Sequence, residues 1–475
     1  MGVQAENSKT NILLTYDELC SASSGSVLYN GAAGSGIVSV AVDSRNCTAG
    51  SLFVPLRGAA QDGHAYCEAA LKNGSVCFFV DEVFLAEHIE QLCDLCKRYS
   101  AVCIAVKNTL TALQDCAAFY LKKFPKLIRI GVTGSSGKTT TKEILAAMLS
   151  QKYKTVFSKG NLNSETGLPL SVFTIKADDE VAVFELGMNR KNEIAELAKV
   201  FRPQYALITN IGMAHVGMLG SQENIAREKK QIFSYFDSSC YGFIPHGKFT
   251  SLLKKHMQGT FVVVDAEKII AAKFLSLVDL GENGFEFVYG GEKTHFHLVG
   301  KHNLLNAALA VTAAEVLKLD AAQVRAGLET VTALYGRAEI KKGKVTYLFD
   351  IYNANPQSMS ASLDFVATLP VKGKKIAVLG SMMELGEYSL DAHKKIIDKV
   401  AASDIDTCFL YGDDFVAAFE KSHYTANKFF CFKTNAAAEL KKNLEAKIVP
   451  DDFVLLKGSR SLQLEQFVSS LEERI

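Results

Sequence analysis

The chain contains 475 residues, of which 48% are hydrophobic and 22% are charged; this composition is typical of a globular protein, and the length suits about three domains. Lysine and arginine number 52 against 51 acidic residues, which gives a net charge of +1. Such a balance excludes recruitment of the whole molecule to nucleic acid or to an anionic membrane by bulk charge, so an anionic ligand must be held by a local site.

The sequence shows no targeting or membrane-spanning segment. Residues 1–16 lack the basic stretch followed by an apolar stretch of a signal peptide, and no apolar run approaches the roughly 18 residues of a membrane span. The 11 cysteines have no disulfide-like spacing. Cys93 and Cys96 form a C-x-x-C, but no second pair lies at zinc-finger spacing, so we interpret them as buried thiols rather than a metal or redox pair. We expect a cytoplasmic monomer.

The first predicted domain covers residues 1–125, where short strands alternate with helical stretches and glycine-rich turns. Its predicted strands are 38–42, 51–55, 77–81 and 102–106.

The second predicted domain covers residues 126–334 and opens with a buried strand at 127–132, a glycine turn and a helix from Thr139. Strand patterns recur at 181–186 and 205–210 with helical patterns between them, which predicts a parallel, doubly wound sheet. Residues 272–299 alternate apolar and polar side chains with glycine turns, and we expect antiparallel strands at the edge of that sheet. A helix is predicted over 303–317.

The third predicted domain covers residues 335–475. Its predicted strands are 345–351, 375–379, 407–411, 429–432 and 453–456. Helical stretches separate them, which is typical of a Rossmann-like, doubly wound sheet. The expected fold class is therefore α/β with three domains, the central one a P-loop ATPase domain built on a parallel sheet.

The strongest motif is a glycine loop that follows a strand and opens a helix, as a phosphate loop requires. It reads G-V-T-G-S-S-G-K-T-T from Gly131 to Thr140. The glycines let backbone N–H groups point at phosphate oxygens, and the helix N-terminus adds positive charge. Lys138 would reach the β- and γ-phosphates, and the Thr139 hydroxyl would bind Mg²⁺. The usual loop has a glycine where Val132 stands, so this version is shortened. The predicted nucleotide contacts in the loop are Gly134, Ser135, Ser136, Gly137, Lys138, Thr139 and Thr140.

Three further residues are candidates for metal chemistry, each with a simpler alternative. Glu185 ends a predicted strand, where a carboxylate can hold Mg²⁺ or can be an ordinary solvated side chain. His215 follows another strand, and a lone histidine there is more often structural than a ligand. Lys229 lies in the charged run A-R-E-K-K-Q-I-F, whose periodicity alone indicates the solvated face of a helix.

Taken together, the ordered motifs resemble the Mur ligase family over nearly the whole chain. They are T-G-S-S-G-K-T, F-E-L-G-M-N, N-I-G-M-A-H, A-R-E-K-K-Q-I-F, G-K-H-N-L-L-N, G-R-A and D-I-Y-N-A-N-P. The resemblance implies an ATP-dependent ligase that activates the terminal carboxylate of a UDP-linked peptide as an acyl phosphate, which an incoming amine then attacks.

The resemblance also implies roles for particular residues. Thr139 and Glu185 match ligands of a first Mg²⁺, and His215 and Lys229 match ligands of a second, with Lys229 carbamylated by CO₂. The residues that match the remaining nucleotide contacts are Asn303, Asn306, Asp350 on the ribose, and Arg337 on the γ-phosphate. The implied catalytic residues are Lys138, His215, Lys229 and Arg337.

Within the family, several stretches look like the branch that adds D-alanyl-D-alanine to a UDP-N-acetylmuramoyl tripeptide in bacterial cell-wall synthesis. They include D-S-R, D-G-H, G-N-L-N, M-E-L-G-E and K-G-S-R. The substrate contacts implied are Ser44, Arg45, Asp62, Gly63 and His64 for the UDP part, and Asn161 and Asn163 for the muramoyl peptide. The alternatives are another acyl-phosphate amide ligase, either a different Mur ligase or a folylpolyglutamate synthase, and a nucleotide-binding protein with a degenerate site.

Overall fold

The computed structural model of the protein describes residues 12–32, 34–58, 61–425 and 427–468. The prediction that residues 1–16 contain no signal peptide therefore falls mostly outside the described residues. Across these described ranges, no helix combines the length and the apolar character needed to cross a bilayer.

The first segment, up to residue 125, is an α/β layer with a mostly parallel sheet in the order β2-β7-β6-β5-β4. Strands β4 to β7 pair in parallel, and β2 runs antiparallel to β7. All four predicted strands are present, whereas β2 was missed because its side chains are exposed or only half-buried. The elements are β1 Leu14–Thr15, α1 Tyr16–Ser23, β2 Ser26–Asn30, β3 Gly36–Ile37, β4 Ser39–Ala41, β5 Ser51–Phe53, α2 Cys67–Lys72, β6 Ser75–Asp81, α3 Glu82–Tyr99, β7 Val102–Val106 and α4 Thr109–Leu121.

The second segment contains a sheet in the order β13-β12-β11-β8-β10-β9. Strand β12 pairs in parallel with both β11 and β13, as predicted for a doubly wound sheet. The elements are β8 Ile128–Thr133, α5 Lys138–Leu149, β9 Thr155–Phe157, α6 Gly167–Val172, β10 Val181–Glu185, α7 Glu193–Phe201, β11 Tyr205–Ile208, α8 Val216–Leu219, α9 Gln222–Lys230, β12 Tyr241–Pro245, α10 Thr250–Lys254, β13 Thr260–Val264, α11 Ala266–Lys273, β14 Leu275–Asp279, β15 Phe285–Tyr289, β16 Glu292–Phe296, α12 Lys301–Val316 and α13 Ala321–Thr330.

The expectation for residues 272–299 was wrong in one respect. The strands are antiparallel as predicted, but they form a separate sheet in the order β14-β15-β16 instead of extending the parallel sheet. The physical reason is packing: Phe285, Phe287, Tyr289 and Phe296 are buried on one face, and this sheet contacts helices α11 and α13. Burial of that aromatic face against helices stabilises the sheet without a hydrogen-bonded neighbour from the parallel sheet.

The third segment contains a sheet in the order β17-β18-β22-β19-β20-β21, parallel except for β17 at one edge. All five predicted strands are present, and the doubly wound prediction is confirmed; only the edge strand β17 was missed. The elements are β17 Glu339–Lys341, β18 Thr346–Asp350, α14 Pro356–Thr368, β19 Lys375–Gly380, α15 Ser389–Ala401, β20 Thr407–Tyr411, α16 Asp413–Glu420, β21 Phe429–Phe432, α17 Ala437–Lys447 and β22 Phe453–Lys457.

Spatial contacts group the described residues into two compact units, each with its own core. The first unit comprises the described parts of Met1–Ile130 with Val156–Met188 and Asn192–Gln204. The second comprises Gly131–Thr155, Asn189–Lys191 and the described part of Tyr205–Ile475. In the first unit, Cys96 is fully buried and Cys93 partly buried on α3, and both are free thiols. The predicted domain boundaries at 126 and 335 stay predictions.

Candidate functional site

The glycine loop between β8 and α5 has a backbone conformation that favours glycine. Gly137 lies in the left-handed region at φ 74° and Gly134 has φ 154°. A Cβ on Gly137 would lie 2.4 Å from Asn306 Oδ1, and one on Gly134 would lie 1.7 Å from Thr209 Oγ1. Both glycines are therefore required by conformation and by close neighbours. The loop curls at the start of α5, as a phosphate-binding loop does.

Residues that follow β11 hold this loop in place. Ser135 N donates to Asn210 O at 3.0 Å, and Ser136 N donates to Asn210 Oδ1 at 3.1 Å. Thr209 Oγ1 donates to Ser136 O at 2.6 Å, and Gly212 N donates to Ser135 Oγ at 2.8 Å. Sequence reasoning missed the roles of Thr209 and Asn210, although both belong to the motif T-N-I-G-M-A-H that contains His215.

The two polar residues that open the helix α5 are oriented within the loop region. Lys138 Nζ donates to Gly134 O at 3.1 Å, so its ammonium group is folded back over the loop. Thr139 is buried, with 2% exposure. A lysine and a hydroxyl at these positions are suited to phosphate oxygens and to a hard cation.

Two asparagines on α12 adjoin the same loop. Asn306 Nδ2 donates to Asn303 Oδ1 at 3.2 Å, and Asn303 Nδ2 donates to Val299 O at 2.8 Å. Both side chains are buried, and the Oδ1 atom of Asn306 lies against Gly137. The structure thus brings Asn306 to the phosphate loop, with Asn303 hydrogen-bonded to it; their contact with a nucleotide stays a prediction.

His215 begins the short helix α8 with a left-handed backbone, φ 63°. Its Nδ1 atom lies 2.5 Å from Glu384 Oε2. The hydrogen bond from His215 lowers the pKa of the Glu384 carboxyl below its usual value, against an opposing effect of burial. Sequence reasoning missed Glu384 as a partner, because 169 residues separate the two in the chain.

Lys229, near the end of α9, is buried with 1% exposure, and Glu228 beside it is buried with 5%. Arg227 in the same run is exposed. The solvated-face alternative therefore does not hold for Lys229. A buried lysine must be neutralised or compensated, because burial disfavours an ammonium ion.

Asp350 and Arg337 lie at the start of the third segment, and side chains fix both. Asp350 Oδ2 lies 2.6 Å from Lys457 Nζ and accepts a 2.6 Å hydrogen bond from Ser362 Oγ. Burial raises the pKa of Asp350, but Lys457 and Ser362 outweigh it and lower the pKa. The Arg337 guanidinium lies 3.7 Å from the centroid of the Tyr352 ring, a cation–π contact. The motif K-G-S-R had singled out Lys457 in the sequence, but it gave no indication that Lys457 pairs with Asp350.

In the first unit, Glu185 ends β10 as a buried carboxylate with 2% exposure. Asn163 Nδ2 donates to Glu185 Oε1 at 2.7 Å, and Gly187 N donates to Asn163 O at 2.8 Å. Asn161 is exposed, and its carbonyl accepts from Asn163 N at 2.7 Å. Because Glu185 is buried, it is not an ordinary solvated side chain, and the hydrogen bond from Asn163 orients its carboxylate.

The D-G-H loop is an internal network. The His64 side chain is fully buried; its Nδ1 lies 2.6 Å from Asp62 Oδ1, and its Nε2 accepts from Asp81 N at 3.2 Å. Arg57 donates to both carboxylate oxygens of Asp81 at 2.8 and 2.9 Å. A Cβ on Gly63 would meet the Leu56 backbone N at 2.6 Å. His64 therefore positions the loop, and sequence reasoning missed Arg57 and Asp81.

The D-S-R turn presents an exposed cation. Asp43 caps the turn, and its carboxylate accepts from Arg45 Nε at 2.9 Å. The Arg45 side chain is 85% exposed. The hydrogen bonds from Arg45 lower the pKa of Asp43 to about 2. Ser44 is buried, and its carbonyl accepts from Asn73 Nδ2 at 2.9 Å.

Comparison with known proteins gives consistent results along the chain. Family models match residues 36–120 (Mur ligase family, catalytic domain), 132–314 (Mur ligase middle domain) and 336–460 (Mur ligase, glutamate ligase domain). The UDP-N-acetylmuramoyl-tripeptide–D-alanyl-D-alanine ligase of Treponema pallidum (strain Nichols) is 41% identical over 456 residues, which is 96% of this chain and 98% of that protein.

Two solved structures are similar over almost the whole chain. The crystal structure I of MurF from Acinetobacter baumannii has a TM-score of 0.81 at 27% identity, covering 97% of this chain and 98% of that one. The MurF ligase from Thermotoga maritima in complex with ADP has a TM-score of 0.75 at 25% identity, covering 92% and 98%.

Proposed function

The chain belongs to the Mur ligase family, and we propose that it joins D-alanyl-D-alanine to a UDP-N-acetylmuramoyl tripeptide in peptidoglycan synthesis. The observation that carries this proposal is the 41% identity with the Treponema pallidum ligase of that activity over 96% of the chain. The protein is an ATP-dependent ligase with the α/β, three-domain architecture of its structural relatives. The relative from Thermotoga maritima was solved with ADP, which supports a nucleotide at the phosphate loop.

The proposed reaction has two steps. The terminal carboxylate of the tripeptide attacks the γ-phosphorus of ATP, which gives an acyl phosphate and ADP. The amine of D-alanyl-D-alanine then attacks the acyl carbon, an amide bond forms, and inorganic phosphate leaves with the amine losing a proton. The first step brings an anion to a polyanion, so cationic groups aimed at the γ-phosphate are the main requirement.

We propose that the loop residues hold the triphosphate and that Lys138 and Arg337 carry the cationic role. The left-handed Gly137, the loop backbone held in place by Asn210 and the folded-back Lys138 support this. Asn303 and Asn306 would contact the nucleotide, and Asp350 would hold the ribose. The full set of proposed loop contacts is Gly134, Ser135, Ser136, Gly137, Lys138, Thr139 and Thr140.

Two Mg²⁺ ions are proposed to neutralise phosphate charge when bound. Thr139 and Glu185 are the proposed ligands of one ion, and His215 and Lys229 of the other. The fit is supported by chemistry: Thr139 and Glu185 supply buried oxygen atoms, which a hard cation prefers.

Carbamylation of Lys229 would reconcile its burial with a ligand role. An ammonium group has no lone pair for a metal, and burial disfavours its charge. The neutral amine adds CO₂ to give a carbamate and a proton, and the product presents anionic oxygens. The 1% exposure of Lys229 supports this.

For the UDP-linked substrate, we propose contacts from Ser44, Arg45 and the loop Asp62–Gly63–His64. Exposed Arg45 suits a diphosphate, whereas buried His64 acts by positioning Asp62. Asn161 and Asn163 are proposed for the muramoyl peptide, with Asn163 also orienting Glu185.

The domain assignment proposed with this function places UDP-substrate binding in residues 1–125, ATP binding in 126–334, and closure on ATP with dipeptide binding in 335–475. We also propose a cytoplasmic monomer, since ATP and UDP-linked precursors are the substrates.

Phosphate release from ATP tests the function. The assay contains D-alanyl-D-alanine and UDP-N-acetylmuramoyl tripeptides whose third residue is lysine, diaminopimelate or ornithine, and each substrate is omitted in turn. We expect release only when both substrates are present. Release that depends on folate and glutamate would instead indicate a folylpolyglutamate synthase, and no release under any condition would indicate a degenerate nucleotide-binding protein.

A further inference from the structure

A loop of the third segment, residues 383–388, contacts the segment that carries His215, residues 212–220; we name them the Glu384 loop and the His215 segment. The closest contact is His215 Nδ1 to Glu384 Oε2 at 2.5 Å. Gly217 N donates to Glu384 O at 3.0 Å, and Tyr388 OH donates to Gly220 O at 2.9 Å. Side chain and backbone of Glu384 thus both engage the His215 segment.

We propose that Glu384 is a positioning residue for His215. The Glu384 carboxylate lies against Nδ1 of the imidazole, which restricts the orientation of the ring and leaves Nε2 away from this carboxylate and available to a metal ion. Histidines that bind metals commonly donate their other N–H to a carboxylate, which also makes the ring a better ligand. This inference rests on the proposed function through the metal role of His215.

The backbone supports a built contact rather than a chance ion pair. His215 and Glu384 both lie in the left-handed region, at φ 63° and 65°, a conformation that costs free energy for a residue with a Cβ and persists where surrounding contacts impose it. An exposed ion pair contributes little by itself; here the His215 side chain is 14% exposed and the Glu384 side chain 49% exposed, so the contact depends on the backbone and loop contacts around it rather than on the ion pair alone.

Two glycines bring the loops together. A Cβ on Gly217 would lie 2.5 Å from Gly386 N and 2.8 Å from Glu384 O. Gly217 lies in α8 and does not have a positive φ, so alanine suits its backbone and conflicts only with the Glu384 loop. The contact between the Glu384 loop and the His215 segment would thereby also orient the proposed metal ligand.

The first test compares Glu384→Ala with Glu387→Ala, a change at an exposed carboxylate in the same loop. Binding of Mn²⁺ is titrated by EPR in the presence of ADP and bicarbonate, and the Mg²⁺ dependence of kcat is measured separately. We expect Glu384→Ala to weaken Mn²⁺ binding and raise the half-saturating Mg²⁺ concentration by about 10–100-fold, with kcat largely recovered at saturating Mg²⁺. Glu387→Ala should match the wild type.

Glu384→Gln separates orientation from charge, because glutamine has nearly the same size and shape as glutamate but carries no negative charge. We expect its Mn²⁺ affinity to lie between those of the wild type and Glu384→Ala. Equal affinities for Glu384→Ala and Glu387→Ala would overturn the positioning role, as would a wild type that binds no Mn²⁺.

The second test uses Gly217→Ala with Gly343→Ala as its control, because a Cβ at Gly343 would meet nothing closer than 3.5 Å. Amide hydrogen exchange is followed in the protein without metal or substrate. We expect faster exchange, after correction for the intrinsic rate of alanine, at the amide of residue 217 in Gly217→Ala, because in the wild type that amide donates to Glu384 O; Gly343→Ala should show wild-type exchange at this amide. Unchanged exchange in Gly217→Ala would overturn the contact between the two loops.

The two readouts separate this inference from the proposed function. A wild-type protein that binds Mn²⁺ in a Glu384-dependent manner but releases no phosphate with both substrates would refute the ligase assignment and support the role of Glu384.

Discussion

The phosphate loop and the D-G-H loop are both short glycine-containing motifs, but they use their named residues differently. In the phosphate loop, the glycines and Lys138 are proposed to contact the ligand, and Thr209 and Asn210 hold the loop backbone by hydrogen bonds. In the D-G-H loop, His64 is itself the internal brace, held by Asp62 and the backbone of Asp81. A motif thus marks proposed contact residues in one place and supporting residues in another, and the hydrogen bonds of the named side chains distinguish the two cases.

The largest expected effect is on catalysis and tests whether the phosphate loop contacts the ligand. Lys138→Ala should lower kcat for ATP-dependent phosphate release by about 10²–10³-fold, because it removes a cation that faces developing charge on the γ-phosphate. The thermal midpoint should change little, since the side chain is only partly buried. Lys126→Ala, an exposed lysine ahead of β8, is the control. Undiminished turnover in Lys138→Ala would contradict the assignment of the loop.

For the D-G-H loop, where His64 supports the structure, we expect a loss of stability rather than a direct loss of catalysis. His64→Ala should lower the free energy of unfolding of its unit by about 2–4 kcal/mol, because it leaves a cavity and removes partners from Asp62 and the Asp81 amide. Denaturant unfolding measures the loss. Arg45→Ala provides the contrast, since an 85% exposed side chain should affect UDP binding but not stability. If His64→Ala were as stable as Arg45→Ala, the brace interpretation would be wrong.

Lys229 extends the comparison to a residue that is buried yet proposed as a ligand. Lys229→Ala should lower activity by at least about 10–100-fold, the loss that follows removal of a group that only supports a metal ligand, because Lys229 is proposed as a ligand itself. Added short carboxylates such as formate or acetate should restore part of it, because they supply the oxygens of the missing carbamate. The same additions should not rescue Lys138→Ala. Wild-type-like activity of Lys229→Ala without any addition would remove the carbamate proposal.

Apolar runs predicted the buried strands well, because a strand covered on both faces has a continuous hydrophobic sequence. The strands that were missed include β2 and β17, which lie at sheet edges and carry exposed or half-buried side chains. The separate sheet of β14 to β16 was predicted as antiparallel but was assigned to the wrong place. Its alternation specifies which face is buried, but not which element covers that face.

The candidate site shows the same division. The backbone of the phosphate loop is encoded locally by glycines, so residues 134–140 could be predicted from a single stretch of sequence. The partners of His215 and Asp350, Glu384 and Lys457, lie far away in the chain, and a contact across that distance leaves no local pattern. Burial of Lys229 was also hidden, because its charged neighbours have the composition of a solvated helix.

The smallest expected effect concerns Asp350, which is proposed to contact the ribose of the nucleotide and is held in place by Lys457 and Ser362. Ser362→Ala removes a 2.6 Å hydrogen bond to its carboxylate and should lower the free energy of unfolding near neutral pH by about 1.5 kcal/mol, as for hydrogen bonds to charged groups. Because Lys457 and Ser362 lower the folded-state pKa of Asp350 despite burial, the stabilisation is present above the unfolded-state pKa and is lost as the pH falls through the folded-state value. The difference between wild type and Ser362→Ala should therefore shrink in urea unfolding series taken below about pH 4. Ser360→Ala, on the same helix, controls for the substitution itself. A difference that stayed constant down to pH 2 would show that Ser362 stabilises the helix rather than the carboxylate.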